Sequence, residues 1–598
     1  ASGEAYVIFG QTAGFGVESN GGRVIDLGGL TPDQGFVIQG GTAGDLAGLG
    51  VGAAGDLNAD GIADLAIGAP SDGSGAGEAY VVFGQNGAIG TIDAAGRQVL
   101  DLGTLTAADG FVITGGDLGD GLGYSLSGAG DLDGDGISDL LIGAPNAEGA
   151  GEAYVVFGRD GSFGTDVAGQ QVLNLSTLSG DDGFVIQGVQ AGDQAGSSVA
   201  AAGDLNGDGL ADLVLGAPAG DLGGGDAGEA YVLYGKDGGF GEAVDGRQVV
   251  DLATLSIDDG FVIRGDAAGD SAGYTVASAG DLNGDGFADL VIGARGGDDG
   301  GANAGEAYVV FGGLQGPGRV VDGRRVLDLS TLAADEGFVV RGAGAGMELG
   351  ISVSGAGDLD ADGFADLVIG VPNDDRTGDN AGAAYVVYGR ESFNTLGLDG
   401  SGRRLLDTTA FTTTLGFVIH GAGAGDLLGS AVSAAGDLNL DGFADLVVGA
   451  PEGDDLAQDA GQAYAIFGGM RDSFAAIRGT GNADGITGGQ HADESERDDV
   501  IFGLGGNDTI LGGGGRDAVW GGTGNDSLLG ETGADYLDGG DGNDTLKGGA
   551  GEDRLFGRTG DDTLEGGTEN DYLDGGAGDD LLDGGAGGDE IHGGAGGH

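Results

Sequence analysis

The chain has 598 residues, with 97 Asp plus Glu against 22 Lys plus Arg and a formal charge of −75, which excludes a basic nucleic-acid groove and argues against docking on an anionic membrane. Gly accounts for 145 residues, yet the hydrophobic fraction is 40 %; Gly-rich disorder lacks apolar residues, so the chain reads as ordered, turn-rich and all-β. It has no cysteine, which excludes disulfides and thiolate-bound zinc, and no apolar run approaches the ~20 residues that span a bilayer.

The chain opens at ASGEAYVIFG, inside a repeat, and stops inside another at GGAGGH, so both ends read as cut or processing boundaries. Residues 1–479 carry one long period, marked by an acidic motif whose first Asp falls at 56, 131, 204, 281, 358 and 437. Each period holds four strand-like runs: a small-residue run such as YSLSGAG, a DLLIGAP run, GEAYVVFG and GFVITG. Gly brackets most of them, and β-branched and aromatic residues fill several. Four short strands per period, without helical periodicity, predict propeller blades. The GEAYVIFG-type and GFVIxG-type runs each occur seven times, the last degenerate at Phe474, whereas the acidic loop with its two flanking strands occurs six times. The expectation is a seven-bladed propeller whose first blade is incomplete in this chain. Either the two missing inner strands lie upstream of residue 1 or the ring is incompletely built.

Between the third and fourth strands, most blades insert a segment such as GRQVLDLGTL from Gly96 or GRRVLDLSTL from Gly323. The connection should emerge on the same face as the acidic loops. It is read as packing on the propeller's own face, with extra edge strands or a partner surface as alternatives. After a linker with degenerate copies over residues 480–502, a nine-residue rule, GGxGxDxUx with U aliphatic, runs from Gly503. Ten nonapeptides carry Asp at the sixth place: Asp508, Asp517, Asp526, Asp535, Asp544, Asp553, Asp562, Asp571, Asp580 and Asp589. All ten carry Ile, Val or Leu at the eighth.

The acidic motif, DLNGDGFAD at residue 281, crowds like charges that resist folding unless a cation sits among them. The six GDxNxDGxxDLxxGAP stretches resemble FG-GAP repeats, the blades of integrin α-subunit propellers. The nonapeptides resemble RTX (hemolysin-type) repeats, which form a calcium-loaded parallel β-roll. Together the two resemblances cover nearly the whole chain. They imply an FG-GAP β-propeller over 1–479, an RTX β-roll over 503–598 cut at its C-terminal end, structural Ca2+ at many sites, and an extracellular or cell-surface setting reached by type I export.

Calcium takes six to eight hard oxygens, which alternate side chains on a tight loop supply. The candidate ligands are Asp56, Asn58, Asp60, Ile62 and Asp64; Asp131, Asp133, Asp135, Ile137 and Asp139; Asp204, Asn206, Asp208, Leu210 and Asp212; Asp281, Asn283, Asp285, Phe287 and Asp289; Asp358, Asp360, Asp362, Phe364 and Asp366; and Asp437, Asn439, Asp441, Phe443 and Asp445. The seventh residue of each set would offer its backbone carbonyl. The closing carboxylate at the ninth place and the flanking strands speak against an EF-hand. Magnesium fits less well because it keeps water and takes fewer carboxylates. The ten nonapeptide Asp residues complete the candidate metal ligands.

Other motifs are read as incidental. GDSAG at 269–273 matches a nucleophile elbow, but Ser271 occupies a variable place in a repeat, and His420 is the only histidine of the propeller stretch. Arg264-Gly265-Asp266 spells RGD at a place that drifts between blades, and Trp520 is read as structural or surface. The chain is not read as an enzyme. Two function classes stand: adhesion to a glycan or protein, and self-association into a surface layer, sheath or matrix. A non-catalytic module of a larger RTX enzyme is a third.

Overall fold

The computed structural model describes residues 2–11, 16–19, 22–71, 75–87, 89–115, 118–314, 316–440, 442–453, 461–469, 477–478, 485–487, 500–515 and 517–594. Among these the secondary structure is strands and short 3-10 turns, with no α-helix. The chain forms two compact units, Ala1–Gly469 and Met470–His598.

The first unit is a seven-bladed propeller. The third blade shows the plan: antiparallel strands Ser125–Gly130, Asp139–Ala144, Glu152–Val156 and Gly183–Gln187, in that order from the centre outward. Complete blades also start at Val51, Ser198, Thr275 and Val353. The first blade has Glu4–Ile8 and Gly35–Gln39 without inner strands, as expected. The seventh has Ala431–Gly436, Asp445–Ala450 and Gln462–Ile466; of the fourth strand expected from Phe474, the described residues Ile477–Arg478 pair instead within the second unit, because they continue its parallel ladder to Ile501 and Phe502.

The innermost strands are small because they crowd the axis. Leu126 inserts into the preceding blade, its Cδ1 meeting the places where a Cβ of Gly50 or Gly68 would stand. The core lies between blades: Leu140, Ile142, Tyr154 and Val156 of the third blade pack with Phe111 and Ile113 of the second. Burying such side chains from both faces makes the second and third strands near-continuous apolar runs.

The inserts do not fold onto the face of their own blade. Those of the second to sixth blades each add a parallel strand to the outer edge of the preceding blade, for example Gln170–Asn174 against Gly110–Thr114, followed outward by the hairpin partner Thr165–Val167; the first blade's insert, Val17–Ser19 and Gly22–Val24, forms a separate hairpin. Extra edge strands, the alternative reading, describe these segments. The Asp of the VLDL pattern has a local role, since Asp101 accepts a hydrogen bond from the Gly103 N–H at 2.9 Å and caps a 3-10 turn. Phe163 of one insert stacks on Phe111 of the preceding blade at 4.3 Å between ring centroids.

One backbone bond recurs around the ring. The amides of Arg159, Lys236, Gly313, Arg390 and Gly469 donate to the carbonyls of Leu57, Leu132, Leu205, Leu282 and Leu359, the second residues of the preceding acidic loops. Gln11 of the first blade makes the same bond to Leu438 of the seventh, at 3.2 Å. The ring therefore closes at its rim although the first blade lacks its inner hairpin.

The second unit is a parallel β-solenoid of two sheets, in which each strand pairs with the one 18 residues later. The eighth-place residues, among them Ile510, Val519, Leu528 and Leu537, form one buried row between the sheets. The sheets begin at Ile477–Arg478 and Gly485–Thr487, ahead of the regular nonapeptides. Trp520, Tyr536, Phe556, Tyr572 and His592 stand in contact along one sheet, with centroids 5.2 to 5.6 Å apart.

Candidate metal centres

Each acidic loop joins the first and second strands of a blade and curls around its own carboxylates. In the fifth blade Asp281 accepts from the amides of Asp285 and Gly286, at 3.0 and 2.9 Å. Asp285 accepts from Phe287 at 3.0 Å. Asp289, fully buried at the start of the second strand, accepts from Leu282 at 3.0 Å and from Gly312 at 2.9 Å. Gly286 has φ +90, a left-handed turn that favours glycine. The ninth-place Asp therefore ties the loop to the third strand as well as closing it.

The structure gathers the carboxylates at the first, third and ninth places. In the third blade, oxygens of Asp131, Asp133 and Asp139 lie within 4.8 Å of one another, and in the sixth so do those of Asp358, Asp360 and Asp366. The fifth-place Asp stands outside both groups. Asn58, Asn206, Asn283 and Asn439 take the third place in the other four loops, each replacing a carboxylate by an amide oxygen. In the seventh blade Asp437 and Asp445 hold their loop bonds, while Asp441 lies outside the described residues.

Burial pushes the ninth-place carboxyls up despite their backbone bonds, and neighbouring acids push further: Asp64 to about 6, Asp139, Asp212 and Asp289 to about 7, and Asp366 to about 8. Several carboxylates held this close fit a hard divalent cation, which offsets both the desolvation and the mutual repulsion. The seventh-place side chains have a packing role. Leu210, Phe287 and Phe364 lie over Gly134, Gly207 and Gly284 of the preceding loops, so the loops interlock around the ring.

In the solenoid, one oxygen of every sixth-place Asp from Asp526 to Asp589 accepts the backbone amide of the Asp 18 residues before it, as from Asp526 to Asp544 at 2.7 Å. The other oxygens of Asp526, Asp544, Asp553, Asp562, Asp571 and Asp580 are buried with no hydrogen-bond partner. Burial raises Asp544 and Asp553 to about 7. A buried carboxylate oxygen left without a donor is costly, and the cost falls on the atom a cation would take.

The incidental motifs are occupied structurally. Arg264 is ion-paired with Asp328 of the adjoining insert, and Asp266 with Arg403, so both charged ends of the RGD tripeptide are engaged. Ser271 sits in a turn with φ +57 before a strand. Sequence reasoning passed over the GEAY pairs. Tyr154, Tyr231 and Tyr308 each donate a short hydrogen bond to Glu152, Glu229 and Glu306 two residues earlier. The recurrence of Glu-Ala-Tyr in five of the seven blades, with Ala383 and Gln462 replacing Glu in the other two, is the signal that marks them.

Family models agree with this geometry. The FG-GAP repeat model matches residues 48–82, 122–156, 195–233, 272–310, 349–387 and 428–466. The RTX calcium-binding nonapeptide repeat model matches 495–528, 529–564 and 565–597. Curated relatives include Integrin alpha-PS2 of Drosophila melanogaster, 30% identical over 43% of this chain and 15% of its own length. Integrin alpha pat-2 of Caenorhabditis elegans is 30% identical over 42% of this chain and 18% of its own, and Integrin alpha-7 of Mus musculus is 29% identical over 31% and 13%. The match thus spans less than a fifth of each of these relatives. No helix among the described residues is long and apolar enough to cross a membrane. The chain is an integrin-like FG-GAP propeller of six detected repeats, followed by RTX calcium-binding nonapeptide repeats.

Proposed function

We propose that this protein is a secreted or cell-surface calcium-binding adhesion protein, whose propeller recognises a glycan or a protein and whose nonapeptide roll folds on calcium outside the cell. The observation that carries the reading is the gathering of carboxylate oxygens at the first, third and ninth loop places in the third and sixth blades. The first, third, fifth and ninth side chains and the seventh carbonyl would hold the ion, which neutralises the loop and pins a hairpin in each blade. In the roll, the sixth-place Asp residues would do the same between turns. Because ligand binding adds to folding free energy, and extracellular calcium modules bind at ~10⁻⁴–10⁻³ M, the outside medium would set the folded state. Type I export of an unfolded, calcium-poor chain is consistent with this coupling.

The test is binding of the purified chain to a glycan panel and to intact cells, in millimolar calcium and in chelator, with light scattering on the same samples. Saturable, calcium-dependent binding by a monomer is the expected result. Calcium-driven growth in particle size with no ligand would replace adhesion by self-association into a layer.

A further inference from the structure

Between the seventh and second blades the ring has a place shaped for something these residues do not supply. Glycines in five blades are shaped by the next blade. A Cβ on Gly68, Gly143, Gly216, Gly293 or Gly370 would collide with a backbone carbonyl of the blade that follows. A Cβ on Gly55, Gly130, Gly203, Gly280 or Gly357 would likewise press on the Ser or Ala of the next acidic loop. The seventh blade keeps both glycines, yet among the described residues nothing stands within 4 Å of a Cβ on Gly436, and only Ala431 of its own blade, at 3.6 Å, approaches one on Gly449.

The opposite wall carries the complementary half. Leu126, Val199, Val276 and Val353 insert into the preceding blade and are 5 to 8% exposed, whereas Val51 at the same place is 60% exposed. The floor is the Glu4–Ile8 strand, which pairs with Gly35–Gln39 on one side alone. In the other six blades the glycine after this strand, such as Gly158 or Gly312, donates its amide to the ninth-place Asp, at 2.9 Å in both. Among the described residues no ninth-place carboxylate stands beside Gly10.

We propose that this place is a docking site for one β-hairpin of the chemistry shared by the other six: a small-residue strand, an acidic Dx(D/N)xDGxxD loop and an apolar strand that opens on Asp-Leu. Its second strand would pair along Glu4–Ile8, its ninth-place Asp would meet the Gly10 amide, and its small eighth-place residue would lie on Gly436. The interface would continue the blade-to-blade contact made everywhere else in the ring.

The test uses the full chain and a synthetic peptide, SLSGAGDLDGDGISDLLIGA, with the sequence of residues 125–144. In calcium we expect saturable one-to-one binding and a rise in the thermal midpoint of the propeller. A peptide with its loop Asp residues changed to Asn should not bind. Gly449→Val places a β-branched residue on an open strand face, so its midpoint without peptide should match the parent while peptide affinity falls at least tenfold. Val51→Asp should do the same from the other wall. Failure to bind, or equal binding by Gly449→Val, overturns the proposal. So does a calcium-stable dimer that Val51→Asp disperses, which would make a second copy the occupant.

Discussion

The guanidinium of Arg403 is ion-paired with the carboxylate of Asp266, 137 positions earlier in the chain. It also reaches Asp299 at 2.7 Å and Asp399 at 2.5 Å, and is only 3% exposed. Arg403 lies on the insert of the sixth blade, so one buried cation ties that insert to two loops around the fifth. Removing it would leave Asp266, Asp270 and Glu306, whose oxygens lie within 4.8 Å of one another, without a counter-charge. Breaking a buried pair from one side costs about 3–5 kcal/mol. Arg403→Ala is expected to lose that much in urea unfolding of the propeller, and a loss under about 1 kcal/mol would show that the latch is idle.

Glu306 predicts a pH effect of definite sign. Burial first, and then the neighbouring acids, raise it to about 7, despite the hydrogen bond from Tyr308. A carboxyl raised on folding is easily held when protonated and becomes destabilising as pH climbs through the interval between its unfolded and folded values. Glu306→Gln keeps an acceptor for Tyr308 and removes the charge; the seventh blade already pairs Tyr464 with Gln462, at 2.5 Å. The variant should be more stable than the parent by about 1–3 kcal/mol at pH 8, and equal to it near pH 4. A constant difference across that range would refute the assignment.

Calcium should invert the pH dependence of the whole protein. In chelator, Asp139, Asp212 and Asp289 titrate at about 7 instead of near the ordinary carboxylate value, so stability falls as pH rises toward 7. With the ion bound the carboxylates must be charged, and stability rises over the same span. Melting curves at pH 5 and pH 8, with and without calcium, give the comparison. Matching order in both media would mean that these loops hold no ion.

Phe163 is stacked on Phe111 with their planes 2° apart, beneath the Arg159 guanidinium at 5.3 Å. Because one ring belongs to an insert and the other to the blade before it, Phe163→Ala should cost about 3–5 kcal/mol. It should also increase hydrogen exchange at Gln170–Asn174 ahead of the blade's inner strands. Uniform exchange would argue that the insert is not a separate strap.

The blade count, the strand identities and the acidic loops could be read from the amino acids because their signals are local: Gly spacing, alternate carboxylates and short β-branched runs repeated many times. The inserts were harder. The partner of Gln170–Asn174 is Gly110–Thr114, some 60 residues earlier and in another repeat, and a parallel pairing leaves no turn signature at either end. The same distance hid the fate of Arg264, whose partner Asp328 lies 64 residues on. Only the nearest partner of Arg403 was within reach of sequence reading: Asp399 lies four residues before it, whereas Asp266 and Asp299 come from two other loops that the packing of neighbouring blades brings to it.

The stitching of the solenoid runs both ways. The amide of Asp526 is satisfied by the carboxylate of Asp544, that of Asp544 by Asp562, and that of Asp562 by Asp580. In the opposite sense, Asn507, Asn525 and Asn543 accept from the amides of Asn525, Asn543 and Asp561, each 18 residues later. An interior coil is therefore clasped by the coil before it and by the coil after it. A coil with one neighbour keeps half of its clasps, so the roll holds best in the middle and is weakest wherever it stops.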